Sequence, residues 1–225
     1  MNDLNKKSFG GLIFFILALA GLLFIPAGTV DYWQAWVSLC VIFVSALLIT
    51  VYLMKNDPEL LERRINAGPG AEKEKRQKVI QSLASLAFIA LFIVSALDHR
   101  FGWSTLPVYA VAAGNVLVVL GLFAVFLVFK ENSYASATIE VGSAQKVIST
   151  GPYAIVRHPM YAGAFIMLFG IPLALGSRWG LLPVVLMVAT IVWRLRDEEK
   201  FLAENLDGYL EYQKKVKYRL VPFIW

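Results

Sequence analysis

The stretch LPVYAVAAGNVLVVLGLFAVFLVF, Leu106–Phe129, contains no charged side chain. A membrane-spanning helix needs roughly 20 consecutive, mostly apolar residues, whereas a surface helix of a soluble domain keeps a polar face. This stretch therefore predicts a helix that crosses a bilayer. The whole chain agrees with it: 58% of its 225 residues are hydrophobic and 16% are charged. Soluble domains average about 45–50% apolar and 25% charged residues, so this composition excludes an ordinary soluble protein.

Five further apolar stretches predict an all-α, polytopic membrane protein with about six transmembrane helices. Gly176-Ser177-Arg178 joins the last two stretches, so residues 159–193 are expected to form a tight helical hairpin. The first stretch lacks a convincing signal-peptide cleavage site and is expected to remain as a span. The single cysteine, Cys40, lies within an apolar run and has no metal-ligand spacing. The six predicted spans are Phe9–Ile25, Trp33–Met54, Val79–Leu97, Leu106–Phe129, Pro159–Leu175 and Trp179–Trp193.

The basic residues predict the orientation of these spans. If the N-terminus is cytoplasmic, every one of the 21 lysines and arginines except Arg100 and Arg178 falls in a cytoplasmic segment. Cytoplasmic loops carry such an excess, so both termini are expected in the cytoplasm. The net charge of +5 suits anionic membrane lipids as partners, and no basic-aromatic pattern indicates nucleic acid. The compact layout suggests a bacterial plasma membrane, while the oligomeric state is left open.

Two regions are expected, an N-terminal set of helices over residues 1–130 with a cytoplasmic loop at 55–78, and a C-terminal catalytic region over 131–225. Within the loop, Asp57-Pro58 favours the start of a short interfacial helix, since aspartate caps a helix and proline suits its first turn. Arg63 and Arg64 are expected near the lipid headgroups. Glu72–Lys78 is expected to be a solvated connection.

The segment Arg157-His158-Pro159-Met160-Tyr161-Ala162-Gly163 lies where a predicted cytoplasmic loop enters a membrane helix. The free N–H groups of such a helix end favour carboxylate or phosphate groups, and an arginine adds a planar fork for the same ligands. Beyond the hairpin, Arg194 and Glu198 share a helix face, whereas Glu199 is turned about 100° away. One of these glutamates is therefore expected in a pocket and the other in solvent.

These motifs, in this order, resemble the isoprenylcysteine carboxyl methyltransferase family and its bacterial relatives over about residues 132–225. The resemblance implies a cytoplasmic site for S-adenosylmethionine and a lipid-borne or prenylated acceptor, with a carboxylate as the methylated group. It implies Arg157, Arg194 and Arg219 as catalytic residues that orient the acceptor, and Tyr153, His158, Pro159, Tyr161, Gly163, Glu198 and Glu199 as cofactor-binding residues. No metal is implied. The resembling motifs are Gly151-Pro152-Tyr153, Arg157-His158-Pro159-Met160-Tyr161, Gly163, Glu198-Glu199, Gly208-Tyr209-x-x-Tyr212 and Tyr218-Arg219-Leu220-x-Pro222.

Three other functions remain open from the sequence. A phospholipid N-methyltransferase of the phosphatidylethanolamine type would use the same cofactor but would need a base to deprotonate its amine. Membrane sterol reductases, which use NADPH, share a similar Arg-His entrance and Tyr-Arg-Leu-x-Pro end. Pro159 and the Glu198-Glu199 pair favour a methyltransferase over a reductase. A non-catalytic membrane protein with a vestigial site is the fourth reading.

The topology can be tested with single cysteines introduced at Asn5, Thr105 and Lys217 in a Cys40→Ser background. We expect an impermeant maleimide to label only position 105 from outside intact cells, because this position follows Arg100 on the side that is poor in basic residues. External labelling at position 217 would contradict the predicted orientation.

Overall fold

The computed structural model describes residues 3–65, 68–72, 74–139, 141 and 145–225, and the described residues form helices and no strand. The all-α prediction is therefore confirmed for this part of the chain. The described part of the chain leaves out residues 66, 67 and 73, which lie between Ile65 and Lys75, and residues 140 and 142–144, which lie between Glu131 and Pro159. The helices are α1 (Asp3–Ala27), α2 (Trp33–Asn56), α3 (Pro58–Ile65), α4 (Lys75–Phe101), α5 (Val108–Glu131), α6 (Pro159–Ala174), α7 (Leu181–Asn205) and α8 (Tyr209–Lys215), with a 3-10 turn at Gly151–Ala154.

Four helices, α1, α2, α4 and α5, are long and apolar enough to cross a membrane. Helix α6 is apolar but has 16 residues, about 24 Å of helix against a hydrocarbon core of about 30 Å. Helix α7 has 25 residues but is charged in its second half, from Arg194 onward. An integral membrane protein is thus supported, whereas six spans and the cytoplasmic termini stay predictions.

The turn between α6 and α7 lies level with the α1–α2 and α4–α5 connections. The hydroxyl of Tyr32, in the α1–α2 connection, donates to the carbonyl of Leu175 at 2.7 Å. Asp98, near the end of α4, is fully buried and accepts from the hydroxyls of Ser104 at 2.6 Å and Ser177 at 2.5 Å. Polar groups buried at this end therefore satisfy one another, and they fix the depth to which the α6–α7 hairpin reaches.

Glycines allow α5 and α6 to pack with their backbones in contact. A Cβ atom on Gly121 of α5 would lie 2.6 Å from the carbonyl oxygen of Gly163 on α6 and 2.6 Å from the backbone nitrogen of Met167. Gly114 and Gly170 meet in the same way one step along the two helices. Small residues are enriched where membrane helices approach closely, because the gain in van der Waals contact holds the helices together.

The short helix α3 begins where the sequence predicted, since the Asp57 carboxylate accepts from the backbone N–H of Leu60 at 2.9 Å. Leu60 and Leu61 are buried and pack in one cluster with Phe129 of α5. Arg64 follows them inward and is only partly exposed. Helix α3 packs against the ends of α2 and α5, and the expected position of Arg64 near the headgroups stays a prediction.

We expect Gly121→Ala to destabilise the protein by about 1–3 kcal/mol, the usual cost of adding a methylene to a tightly packed interface. Thermal unfolding in detergent measures the effect. Gly21→Ala is the matched control, because a Cβ there meets only a side-chain atom of Ile25 at 3.8 Å. Equal melting temperatures for the two variants would contradict the close approach of α5 and α6.

Candidate functional site

Glu199 of α7 is the centre of a buried ion-pair cluster. One of its carboxylate oxygens accepts from Arg157 Nε at 2.6 Å and lies 3.3 Å from His158 Nε2. The other oxygen accepts from Arg219 Nε at 2.8 Å. Burial raises the pKa of Glu199, but the hydrogen bonds from His158, Arg157 and Arg219 outweigh it and lower the pKa to about 2. Glu199 is therefore ionised throughout the physiological range.

This cluster joins the C-terminal tail to the start of α6. Arg157 also donates through Nη1 to the carbonyls of Val216 at 2.8 Å and Lys217 at 3.0 Å. The backbone N–H groups of Arg157 and His158 donate to the carbonyls of Tyr218 and Arg219, both at 2.9 Å. The guanidinium of Arg157 thus has partners on α7 and on the tail, so that α6, α7 and the tail are held as one unit.

Glu198, the neighbour of Glu199, belongs to a second polar cluster. Its carboxylate accepts from the Tyr161 hydroxyl at 2.6 Å, and the same hydroxyl accepts from Arg194 Nε at 3.2 Å. Neither glutamate is exposed, so the expectation that one of them faces solvent is wrong. The predicted 100° between them places Glu199 in the buried ion-pair cluster and the half-buried Glu198 at the two cavities described below.

The expectation that Glu72–Lys78 is a solvated connection is wrong for Glu72 and Gln77, whereas Glu74, Lys75, Arg76 and Lys78 are exposed. Glu72 is buried and forms an ion pair with Arg194, with 2.7 Å between Oε1 and Nη2. Gln77 is buried as well, accepts from Arg194 at 3.2 Å and donates to Asp197 at 2.6 Å. A charged run reads as solvated in sequence, but an arginine on α7 supplies the partner that makes burial of Glu72 tolerable.

Two cavities meet at the second cluster. A polar cavity, bounded by residues of 132–139 and 145–148, the start of α6, α7 and α8, is lined by residues including Tyr153, His158, Pro159, Tyr161, Glu198 and Tyr209. A membrane cavity of about 420 Å³ lies among α4, α5, α6 and α7 and is lined mainly by apolar side chains such as Ile80, Leu122, Met167, Met187 and Ile191, with Arg64 and Arg194. Both cavities are lined by Tyr161, Glu198 and residues of the loop at 136–139.

The structure brings most of the sequence-predicted residues to this region. Tyr153, Arg157, His158, Pro159, Tyr161 and Glu198 line the polar cavity, and Arg194 lines the membrane cavity. Glu199 and Arg219 lie behind the polar cavity as partners in the ion-pair cluster. Gly163 lies in the α5–α6 contact, where a Cβ would be 2.9 Å from the Gly121 carbonyl oxygen, and it does not line either cavity.

Sequence reasoning assigned no role at the site to Glu72, Gln77 or Arg64, and it named Tyr209 only as part of the Gly208-Tyr209-x-x-Tyr212 motif. The Tyr209 hydroxyl is buried and makes no hydrogen bond with the described residues. Burial raises the pKa of Tyr209, with the charges of Glu199 and Glu198 acting in the same direction, so the hydroxyl keeps its proton. Native proteins pair nearly all such groups, so an unpaired donor beside a polar cavity is suited to a polar ligand.

Comparison with known proteins supports a membrane methyltransferase. Residues 109–207, from α5 to just beyond α7, match the sequence model of the phospholipid methyltransferase family. This match supports a relationship of the chain to the membrane methyltransferase superfamily, to which isoprenylcysteine carboxyl methyltransferases are related. It does not support that particular family over the others. The chain is also 31% identical over 91 residues to the Delta(14)-sterol reductase TM7SF2 of Mus musculus. That similarity covers 39% of this chain and 22% of the reductase, so the chain spans about a fifth of that relative's length.

We expect Glu199→Gln to destabilise the protein and Glu198→Gln to leave its stability nearly unchanged. Removing one charge of a buried cluster typically costs about 3–5 kcal/mol, because Arg157 then loses its counterion. Tyr161 can still donate to a glutamine at position 198. Thermal unfolding compares the two variants; equal melting temperatures would contradict the structural role of Glu199.

The difference in stability between the wild type and Glu199→Gln depends on pH. Because the folded-state pKa of Glu199 is about 2 and its ordinary value is 4.5, its stabilising contribution is complete above about pH 4.5 and is lost as the pH falls toward 2. The difference in stability between the wild type and Glu199→Gln is therefore expected to shrink over that interval. A difference that stays constant would count against the lowered pKa.

Proposed function

We propose that the protein transfers a methyl group from S-adenosylmethionine to a lipid-borne acceptor. The observation that carries this proposal is that a polar cavity and a mainly apolar cavity meet at Tyr161 and Glu198. A polar cofactor suits the first cavity and an acyl or prenyl chain suits the second. The reacting groups would then meet at the junction, and methyl transfer depends above all on such alignment.

The residues of the polar cavity fit this cofactor. Glu198 offers carboxylate oxygens, Tyr209 has a hydroxyl with no partner among the described residues, and His158 and Pro159 form the start of α6. When bound, S-adenosylmethionine supplies an electrophilic methyl group on a sulfonium. We assign Tyr153, His158, Pro159, Tyr161, Glu198 and Tyr209 to its binding. Glu199, Arg157 and Arg219 act indirectly, since their ion pairs hold the start of α6 against α7 and the tail.

A carboxylate, as in isoprenylcysteine, is the acceptor that we favour. Transfer to a carboxylate oxygen forms a neutral ester and a thioether and releases no proton, so it needs no base. The guanidinium groups of Arg64 and Arg194 on the membrane cavity suit an anionic acceptor. Arg194 is held by Glu72, Gln77 and Tyr161, which fixes its position at the junction.

Phospholipid N-methylation is the second candidate. A protonated amine must lose a proton before it can accept a methyl group, and Glu198 is a carboxylate at the junction of the cavities. The family match agrees with this chemistry as well. NADPH-dependent sterol reduction is the third candidate and is motivated by the partial similarity to the sterol reductase.

Methyl-labelled S-adenosylmethionine distinguishes these functions when it is added with lipid extract to the purified protein in nanodiscs. We expect a labelled lipid from which mild alkali releases labelled methanol, as from a methyl ester. A label that stays on the phosphatidylethanolamine headgroup and yields no methanol would identify the second candidate. Binding of NADPH without binding of S-adenosylmethionine would overturn the proposal in favour of a reductase.

Tyr209→Phe tests the cofactor site within the same experiment. Its removal of an unpaired hydroxyl is expected to leave the cofactor-free protein as stable as the wild type. The loss of one hydrogen bond is expected to weaken S-adenosylmethionine binding roughly tenfold in calorimetry. An unchanged dissociation constant would remove Tyr209 from the site.

A further inference from the structure

Arg64 differs from Arg157 and Arg194 in the contacts that its guanidinium makes. It lies at the end of α3, outside the residues that match the family model, and it lines the membrane cavity. Its guanidinium carbon lies 4.9 Å from the ring centroid of Phe129. Nη1 donates to the carbonyl of Ser136 at 3.0 Å and to that of Ala135 at 3.5 Å. The Arg64 side chain is therefore held in one orientation by Phe129 of α5 and by the backbone of Ala135 and Ser136.

Arg64 has no carboxylate partner within the described part of the chain. Arg157 pairs with Glu199, Arg194 pairs with Glu72, and Arg63, the neighbour of Arg64, lies 3.8 Å from Glu59. The hydrogen bonds of Arg64 to described residues all use Nη1, which leaves the edge formed by Nη2 and Nε for a ligand. A half-buried guanidinium that has no carboxylate partner is suited to a bound anion, which supplies the missing counterion.

We propose that Arg64 binds the oxyanion of the acceptor's headgroup and thereby selects lipids that carry an oxyanion for the membrane cavity. This inference rests on the proposed methyl transfer and names its substrate class. Two oxygens of a carboxylate or of a phosphodiester match the planar edge of a guanidinium, and neither a hydroxyl nor an ester does so equally well. A sterol, which has no oxyanion, would gain nothing from Arg64.

The two anions place the reacting atom differently. With a carboxylate acceptor, Arg64 binds the group that receives the methyl. With phosphatidylethanolamine, Arg64 binds the phosphodiester and the amine is left for Glu198, which lines the same cavity and has the opposite charge. In both cases Arg64 contributes mainly to acceptor binding, because the cofactor lies in the other cavity.

The test measures lipid binding to the cofactor-free protein and then methyl transfer. The probes are an S-prenylated cysteine, its methyl ester and lysophosphatidylethanolamine, and binding is followed by native mass spectrometry and tryptophan fluorescence. We expect Arg64→Gln to weaken binding of at least one of the two oxyanion-bearing probes, the prenylated cysteine or lysophosphatidylethanolamine, tenfold or more, and to change binding of the ester less than threefold. Arg64→Lys is expected to recover only part of the loss. Arg63→Gln is the matched control, because it removes the same charge one residue away and Arg63 does not line either cavity.

The outcomes separate this inference from the proposed function. The oxyanion-bearing probe whose binding Arg64→Gln weakens identifies the acceptor as a carboxylate or a phosphodiester. The role of Arg64 would be overturned if Arg64→Gln weakened binding of these probes and of the ester equally, or if it weakened their binding no more than Arg63→Gln does. It would also be overturned if the wild type bound neither oxyanion-bearing probe. The dissociation constant of S-adenosylmethionine is expected to be unchanged in Arg64→Gln, since Arg64 does not line the polar cavity. If the wild type does not bind S-adenosylmethionine, the proposed methyl transfer fails, whereas the lipid-binding arm still decides the anion site.

Discussion

The structure depends above all on one buried carboxylate. Glu199 lies 6% exposed among Arg157, His158 and Arg219, which come from the loop before α6 and from the tail. Removing these charges from water is costly, and only their mutual attraction and hydrogen bonds offset that cost. The cluster therefore forms only when α6, α7 and the tail are all in place. It makes the geometry of the polar cavity a consequence of the fold rather than of the loop that covers it.

The second polar cluster extends the same principle into the membrane region. Arg194 contacts Glu72, Gln77, Ala137 and Tyr161, so the loop before α4 and the start of α4 are tied to α7 directly beside the junction of the cavities. Side chains on both sides of residue 130 thus line the same region. A division at that residue describes the order of elements along the chain, but the segment before it supplies part of the lining and two of the four partners of Arg194.

Packing of α5 on α6 sets the shape of the membrane cavity. Because Gly121 and Gly163 bring the two backbones together, the space among α4, α5, α6 and α7 is left for larger side chains such as Met167 and Met187, which line the cavity. Methionine adapts its shape to its neighbours, which suits a cavity for a flexible chain. Close packing of α5 on α6 and the methionine-lined cavity beside it therefore belong to the same packing of the four helices.

The sequence alone determined the helical membrane architecture, the start of α3 at Asp57 and the region of the site, because apolar length, capping and the Arg157–Tyr161 motif are local signals. Tertiary structure decided the roles of individual charges. The burial of Glu72, the separation of Glu198 from Glu199 and the inward position of Arg64 depend on partners that are 37 to 122 residues away in sequence, and no local pattern reveals such partners. Gly163 belongs to the Arg157–Gly163 motif in sequence, but in the structure it packs against Gly121 of α5, and only the tertiary structure reveals that contact. A charge or a glycine acquires its function from what is opposite to it in space.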